Sequence, residues 1–224
     1  MATYSIGDLD RREILKISAM LGLASVASSR LATGQTPAQR TPEQILGPYY
    51  PMKTLDQNAD LTRLPGRPGR AAGHVLNVMG RVLNRNGEPV RNAKIEIWQA
   101  NAHGRYSHPS DPNPAPLDPN FEGFAVQTSD AEGRYRFKTI KPGAYPTNTP
   151  NWVRPPHLHF EVTGKVNRLI TQMYFPGEPL NDKDILLQGL RNNREGAIAK
   201  VLPATADAEP ESRLVVWDIV LDKG

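Results

Sequence analysis

The 224-residue sequence contains no cysteine. That absence alone excludes disulfides, thiol nucleophiles, iron–sulfur clusters and thiolate zinc sites. No apolar run reaches the roughly 18 residues that a membrane-spanning helix needs. Charge of one sign is nowhere concentrated. The 27 Lys and Arg against 23 Asp and Glu leave a formal charge of +4, spread too evenly to form a nucleic-acid footprint. There is no internal repeat and no low-complexity tract. What is present is a chain of ordinary single-domain length, 38% hydrophobic and 22% charged, too apolar to stay disordered. Gly and Pro together make up about a sixth of it, which with many short apolar runs points to strands joined by turns.

The first 34 residues have the layout of a cleavable leader. Asp10-Arg11-Arg12-Glu13-Ile14-Leu15-Lys16 precedes a mildly apolar stretch, Ile17 to Ala27, and then small residues at Ser25-Val26-Ala27 and Ala32-Thr33-Gly34. The paired arginines resemble a twin-arginine signal, so a periplasmic or secreted location is expected. The competing reading is an amphipathic helix packed on the domain. Residues 35–73 are expected to form an N-terminal arm. It begins with a short helix at Thr41-Pro42-Glu43-Gln44, with Thr as N-cap and Pro at N1. Gly47-Pro48-Tyr49-Tyr50-Pro51 breaks it. The rest, with two Gly-Arg pairs around Pro68, reads as extended chain that wraps its own domain or a neighbouring subunit.

From residue 74 to 224 the pattern is β. Leu76–Leu83, Ala93–Gln99, Phe124–Thr128, Arg134–Thr139, His157–Thr163, Leu169–Phe175 and Arg213–Leu221 read as strands, with Asn86-Gly87 and Asp130-Ala131-Glu132-Gly133 as turns. Asp182–Leu190 reads as a short helix. Ala93, Ile95 and Ile97 alternate with Lys94, Glu96 and Trp98. Seven or so short strands make an all-β, two-sheet sandwich the expected fold.

His157-Leu158-His159 is the sharpest chemical feature. On a strand the two imidazoles share a face while Leu158, Phe160 and Val162 point inward. Such a pair chelates a metal well when neutral, but alone it is weak evidence, and the other reading is two solvent-facing histidines on a half-buried strand. No His-Glu-x-x-His, Gly-x-Ser-x-Gly or phosphate-cradling glycine loop is present. Tyr106 and Tyr145 are the remaining candidates. A phenol with a pKa near 10 becomes a tyrosinate at neutral pH only against a strong, hard Lewis acid, for which ferric iron is the usual answer. Each tyrosine taken alone also fits a sandwich-edge aromatic.

Several stretches together resemble the intradiol ring-cleavage dioxygenase family. They are Ile95-Glu96-Ile97-Trp98-Gln99-Ala100-Asn101 with Gly104-Arg105-Tyr106, and Pro116-Leu117-Asp118-Pro119-Asn120-Phe121. Then come Thr139-Ile140-Lys141-Pro142-Gly143-Ala144-Tyr145-Pro146, Arg154-Pro155-Pro156-His157-Leu158-His159-Phe160 and Ile170-Thr171-Gln172-Met173-Tyr174-Phe175. The likeness runs from about Gly47 to Leu180 and is strongest to protocatechuate-type, iron-bearing members. It implies a β-sandwich of the intradiol or transthyretin-like topology around one non-haem Fe(III), and cleavage of a catechol by O2 to a cis,cis-muconate. It implies Tyr106, Tyr145, His157 and His159 as ligands, with Tyr145 the axial tyrosinate that leaves when substrate arrives and His159 the other axial ligand. It gives Arg154 and Gln172 places facing the bound ring, and Tyr49 and Tyr50 places near the iron but not on it. Thr147-Asn148-Thr149 and Val153 depart from the tryptophans usual in protocatechuate-type members, and place Thr147 at the substrate pocket. The resemblance also implies a homo-oligomer or a hetero-oligomer with a related subunit, and no nucleic-acid partner. Two other classes stay open on the residues alone: a non-catalytic transthyretin-like binding domain, and a zinc-dependent hydrolase using the two histidines with a carboxylate.

Overall fold

The computed structural model describes residues 36–52, 59–204 and 208–224. The leader expected at 1–34 lies outside them. The strands are β1 (Val75–Asn84), β2 (Lys94–Trp98), β3 (Phe124–Thr128), β4 (Arg134–Ile140), β5 (Tyr145–Pro146), β6 (Val153–Arg154), β7 (His157–Thr163), β8 (Arg168–Tyr174), β9 (Lys200–Pro203), β10 (Arg213–Val216) and β11 (Ile219–Leu221). One short helix, α1 (Ile185–Gly189), lies between two 3-10 segments, Asn181–Lys183 and Arg191–Ala197. No helix among the described residues is long and apolar enough to cross a membrane.

The fold is mostly sheet. β3, β2, β7 and β8 form an antiparallel sheet in that order. In the other, β1 pairs antiparallel with β4 and parallel with β10 and β11, while β9 adds to β10. The alternation read from sequence explains the core. Ile95, Ile97, Leu158, Phe160 and Val162 from one sheet share a buried cluster with Val78, Val82, Phe137, Val215 and Ile219 from the other. Phe160 bridges them, its ring 5.1 Å from Trp217 and 6.0 Å from Tyr135. Truncating so enclosed a phenylalanine to alanine costs about 3–5 kcal/mol.

Three expectations are corrected. Thr41–Gln44 is not helical. The Thr41 hydroxyl, expected to cap a helix, instead accepts from the Val220 amide at 2.8 Å, and the Thr41 amide donates to the Val220 carbonyl at 3.1 Å. The Gln44 amide then donates to Ile170 O at 2.8 Å, so these residues run as an extended strap from β11 to β8. The arm wraps its own domain, with Leu61 and Ala71 in the core. Residues 213–221 form two strands rather than one, because the Arg81 amide donates to the Asp218 side chain and interrupts the ladder between β10 and β11. The helix expected at 182–190 shortens to α1, with the Asp184 carboxylate accepting the Leu187 amide as its N-cap.

Candidate metal centre

The second face of the β3-β2-β7-β8 sheet carries the chemistry. Register places Trp98, His159 and Gln172 side by side on β2, β7 and β8, with His157 opposite Tyr174 two positions along on the same face. This face is not half-solvated. β7 is buried on both sides through Val162, because the strap, the β5–β6 hairpin and the loop after β2 cover it.

That loop is folded by its own polar residues. Asn101 Oδ1 accepts the amides of His103 and Arg105, and Asp111 Oδ2 accepts the Tyr106 amide at 2.7 Å. Gly104 has φ +78° and lies so close to Ala144 that a Cβ there would fall 2.1 Å from its carbonyl oxygen and 3.3 Å from Tyr145 Cβ. The loop bearing Tyr106 and the segment bearing Tyr145 therefore meet backbone to backbone. Tyr145 then opens the β5–β6 hairpin directly opposite Arg154.

Four donor atoms converge as a result. Tyr145 Oη lies 3.3 Å from His157 Nε2, which lies 3.2 Å from His159 Nε2, which lies 3.1 Å from Tyr106 Oη. All four residues are buried. His157 Nδ1 is 2.7 Å from the Pro155 carbonyl, so it carries the proton and turns an Nε2 lone pair toward the cluster. Burial holds both imidazoles well below their ordinary pKa, with the Arg154 charge acting the same way. Burial raises the phenols of Tyr106 and Tyr145, and Arg154 partly opposes this. The His157 Nε2 lone pair, the neutral His159 ring and two phenols make a set of nitrogen and oxygen donors that could hold a hard cation. No third His, Asp or Glu joins the histidines among the described residues, so the zinc-hydrolase reading has no carboxylate to stand on.

Arg154 and Gln172 lie beside this cluster in a buried network. Arg154 Nη2 donates to Gln172 Oε1 at 2.6 Å and to Tyr174 Oη at 2.9 Å, and its Nε donates to Asp184 Oδ2 at 2.7 Å. Tyr174 Oη lies 3.1 Å from Gln44 Oε1 and 3.3 Å from Asp184 Oδ1. Gln172 Nε2 donates to the Ile45 carbonyl at 3.1 Å. Burial opposes charge on Arg154, but Tyr174, Tyr145 and Asp184 outweigh it and raise its pKa, so the guanidinium is a permanent buried cation.

Thr147 is not brought into this network. Its hydroxyl lies 3.0 Å from Trp152 O and bonds the hairpin's own backbone. Tyr49 packs on Tyr106 with ring centroids 4.6 Å apart. Tyr50 stands edge-on to Trp98 and donates to Glu96, and burial with that carboxylate pushes its phenol up to about 12. Sequence reasoning missed Gln44, Gly47, Tyr174 and Asp184. Tyr174 was detectable as the residue two beyond Gln172, on the same strand face. Asp184 was detectable as an Asp before Ile185-Leu186-Leu187, an N-cap position.

A family model described as Dioxygenase matches residues 45–223. Protocatechuate 3,4-dioxygenase beta chain of Burkholderia cepacia is 55% identical over 133 residues, 58% of this chain and 57% of that one. The chain belongs to the intradiol ring-cleavage dioxygenase family. An intradiol ring-cleavage dioxygenase of Aspergillus niger aligns at 28% identity over 94% of this chain and 65% of its own. This family member thus spans less than two thirds of the length of either relative. Among solved structures, the dioxygenase domain of a dioxygenase carbohydrate-binding protein fusion from Streptomyces sp. SirexAA-E superposes with a TM-score of 0.63 at 27% identity. That match covers 83% of this chain and 100% of that one.

Proposed function

We propose that this chain is a ferric-iron intradiol dioxygenase that inserts both atoms of O2 into a substituted catechol to give a cis,cis-muconate, on a sandwich of the family topology. The observation that carries it is the convergence of Tyr145, His157, His159 and Tyr106, whose donor atoms follow one another at 3.3, 3.2 and 3.1 Å, beside a buried Arg154. Those four residues would hold Fe(III), which when bound supplies the Lewis acidity that polarises the catechol ring for attack by dioxygen. The remaining steps belong to the chain. Tyr145 Oη, ionised where the four residues hold the iron, would be the base that takes a proton from the incoming catechol hydroxyl and become a neutral phenol. Arg154, fixed by Asp184, Gln172 and Tyr174, offsets the charge that develops on the ring as oxygen adds. Gln172 holds the guanidinium and borders the ring. Burial of all four donors keeps water away from the reacting ring.

Protocatechuate is the first substrate to test. The relative at 55% identity carries that name, and the short Tyr145–His157 link matches protocatechuate-type members. Thr147 and Val153 at the hairpin make other substituted catechols the next candidates. The experiment is iron content, visible spectrum and oxygen uptake with protocatechuate and a panel of catechols. About one iron per chain, a red-brown colour and oxygen consumption are expected. Protein that holds iron yet consumes no oxygen with any catechol rejects the reading.

Export by the twin-arginine route remains part of this proposal, supported by Arg11-Arg12 and the residues after them. Lys-Lys at these positions should trap precursor in the cytoplasm, and unchanged localisation rejects it. Assembly with itself or with a related subunit is supported by a relative named as a beta chain and is tested by light scattering.

A further inference from the structure

The two histidines of the cluster are held in different ways. His157 has the usual tether of a ligating imidazole, its Nδ1 on a backbone carbonyl. His159 has none: its Nδ1 is buried without a hydrogen-bond partner among the described residues. Contacts on its ring take the tether's place. The Trp98 indole stacks on it, with centroids 4.9 Å apart and planes within 13°. From the strap, Gly47 at φ +80° comes so near that a Cβ would sit 3.1 Å from His159 Cε1 and 3.8 Å from both ring nitrogens.

We infer that Gly47 and Trp98 form a packing clamp that sets the orientation of His159 as a ligand in place of a hydrogen bond. They are positioning residues that act through His159 and touch no substrate. The inference rests on the iron-site reading above. A side chain at Gly47 meets the ring at less than ordinary contact distance, so either the ring or the strap gives by a few tenths of an ångström. Metal–ligand distances are specified to about ±0.2 Å. A shift of that size is small for a fold and large for a ligand. The clamp also makes the imidazoles unequal. A carbonyl on Nδ1 raises the basicity of His157, and His159 lacks that assistance.

The test compares Gly47→Ala with Gly87→Ala. Gly87 has the same backbone conformation, φ +79°, and nothing within 4 Å of a Cβ, so it reports backbone strain without the push on the ring. Iron affinity is measured by competition with a chelator, the tyrosinate-to-iron absorption band by titration, and stability by melting of the iron-free protein. Both alanine variants should melt earlier by similar amounts. Only Gly47→Ala should weaken iron, by about 10-fold or more, with a shifted band. Trp98→Leu should weaken iron likewise, and Trp98→Phe, which keeps a flat ring against His159, should restore most of it. Wild-type iron affinity and spectrum in Gly47→Ala overturn the clamp. If Gly47→Ala does not fold, equal affinity in Trp98→Leu and Trp98→Phe overturns it instead. Wild type that binds no ferric iron overturns the site reading and the clamp with it, whereas iron-binding wild type with unaffected variants overturns the clamp alone.

Discussion

Arg154 and Asp184 form an ion pair inside the protein, with side-chain exposures of 5% and 0% and an Nε–Oδ2 distance of 2.7 Å. The same carboxylate caps α1 through the Leu187 amide, so one residue fixes both the guanidinium and the helix beside it. Removing one partner of a buried pair leaves an uncompensated charge and costs about 3–5 kcal/mol. Asp184→Ala should therefore melt substantially earlier. Asp184→Asn, which keeps an acceptor for the cap, should melt nearer wild type. It should also retain iron and colour while kcat falls, because the guanidinium loses its fixed direction. Full turnover in Asp184→Asn would show that Arg154 needs no such support.

The Arg154 side chain bonds Asp184, Gln172 and Tyr174 and, among the described residues, none of the four cluster side chains, so Arg154→Ala should keep the iron and the colour. Turnover should drop by about 10²–10³, the worth of roughly 2–4 kcal/mol of charge stabilisation in a water-poor site. The substitution also strands Asp184. Adding Asp184→Asn should recover melting temperature without recovering turnover, which separates the two roles. Recovery of oxygen uptake in the double variant would assign Arg154 a structural role alone.

The tyrosines should separate from each other and from Arg154. Tyr106→Phe and Tyr145→Phe each remove one anionic donor, so each should weaken iron and shift or bleach the visible band. Tyr145→Phe should also slow substrate deprotonation. Metal analysis with stopped-flow mixing of catechol distinguishes them. Unchanged iron affinity in both would remove the tyrosines from the ligand set.

The strands and the histidine pair were legible in the sequence because both rest on local spacing, whereas Tyr106 and Tyr145 entered the site only through the family resemblance. Ile95 and Ile97 alternate with Glu96 and Trp98, and His157 and His159 sit two apart on one strand, so pleat alone assigns their faces. What covers the second face was not legible. Thr41-Pro42-Glu43-Gln44 satisfies every local rule for a helix start, yet its polar groups find partners on Val220 and Ile170, more than 120 residues away. A long-range ladder outcompeted a local cap. The supports of Arg154 were hidden for the same reason, since Gln44, Tyr174 and Asp184 meet only through the strap, β8 and the cap of α1. Gly47 was read as a helix breaker, and its contact with His159 follows only from where the strap lies.

Gly104 gives a test of how the two tyrosine segments are joined. A methyl group there would meet the Ala144 carbonyl at 2.1 Å, against backbone rather than a flexible side-chain tip. Gly104→Ala should therefore separate the loop of Tyr106 from the start of β5. Iron binding should be lost or much weakened while the far-ultraviolet circular dichroism of the sheets survives, because both sheets close without this contact. An iron-replete, coloured Gly104→Ala protein would mean that the two segments reach the cluster independently.

The pH dependence of the iron-free protein follows from the same buried groups. Burial keeps His157 and His159 neutral in the folded state, whereas in the unfolded chain they titrate near 6.5. Below that pH the unfolded state takes up protons that the folded state refuses. Stability should thus be complete above about pH 6.5 and fall as the pH drops, by up to about 1.4 kcal/mol per unit for each imidazole. At the other end burial raises Tyr106 and Tyr145 above the phenol value of 10. Their contribution is present below pH 10 and lost above it, as the unfolded chain ionises and the folded one does not. Iron reverses the second effect, because a bound phenol is already deprotonated. Loading at neutral pH should release protons, and Tyr145→Phe should release about one fewer than wild type. Urea melts from pH 5 to 11 with and without iron, together with a pH-stat titration, measure both effects. Equal proton release by wild type and Tyr145→Phe would mean that this phenol keeps its proton and does not bind the metal.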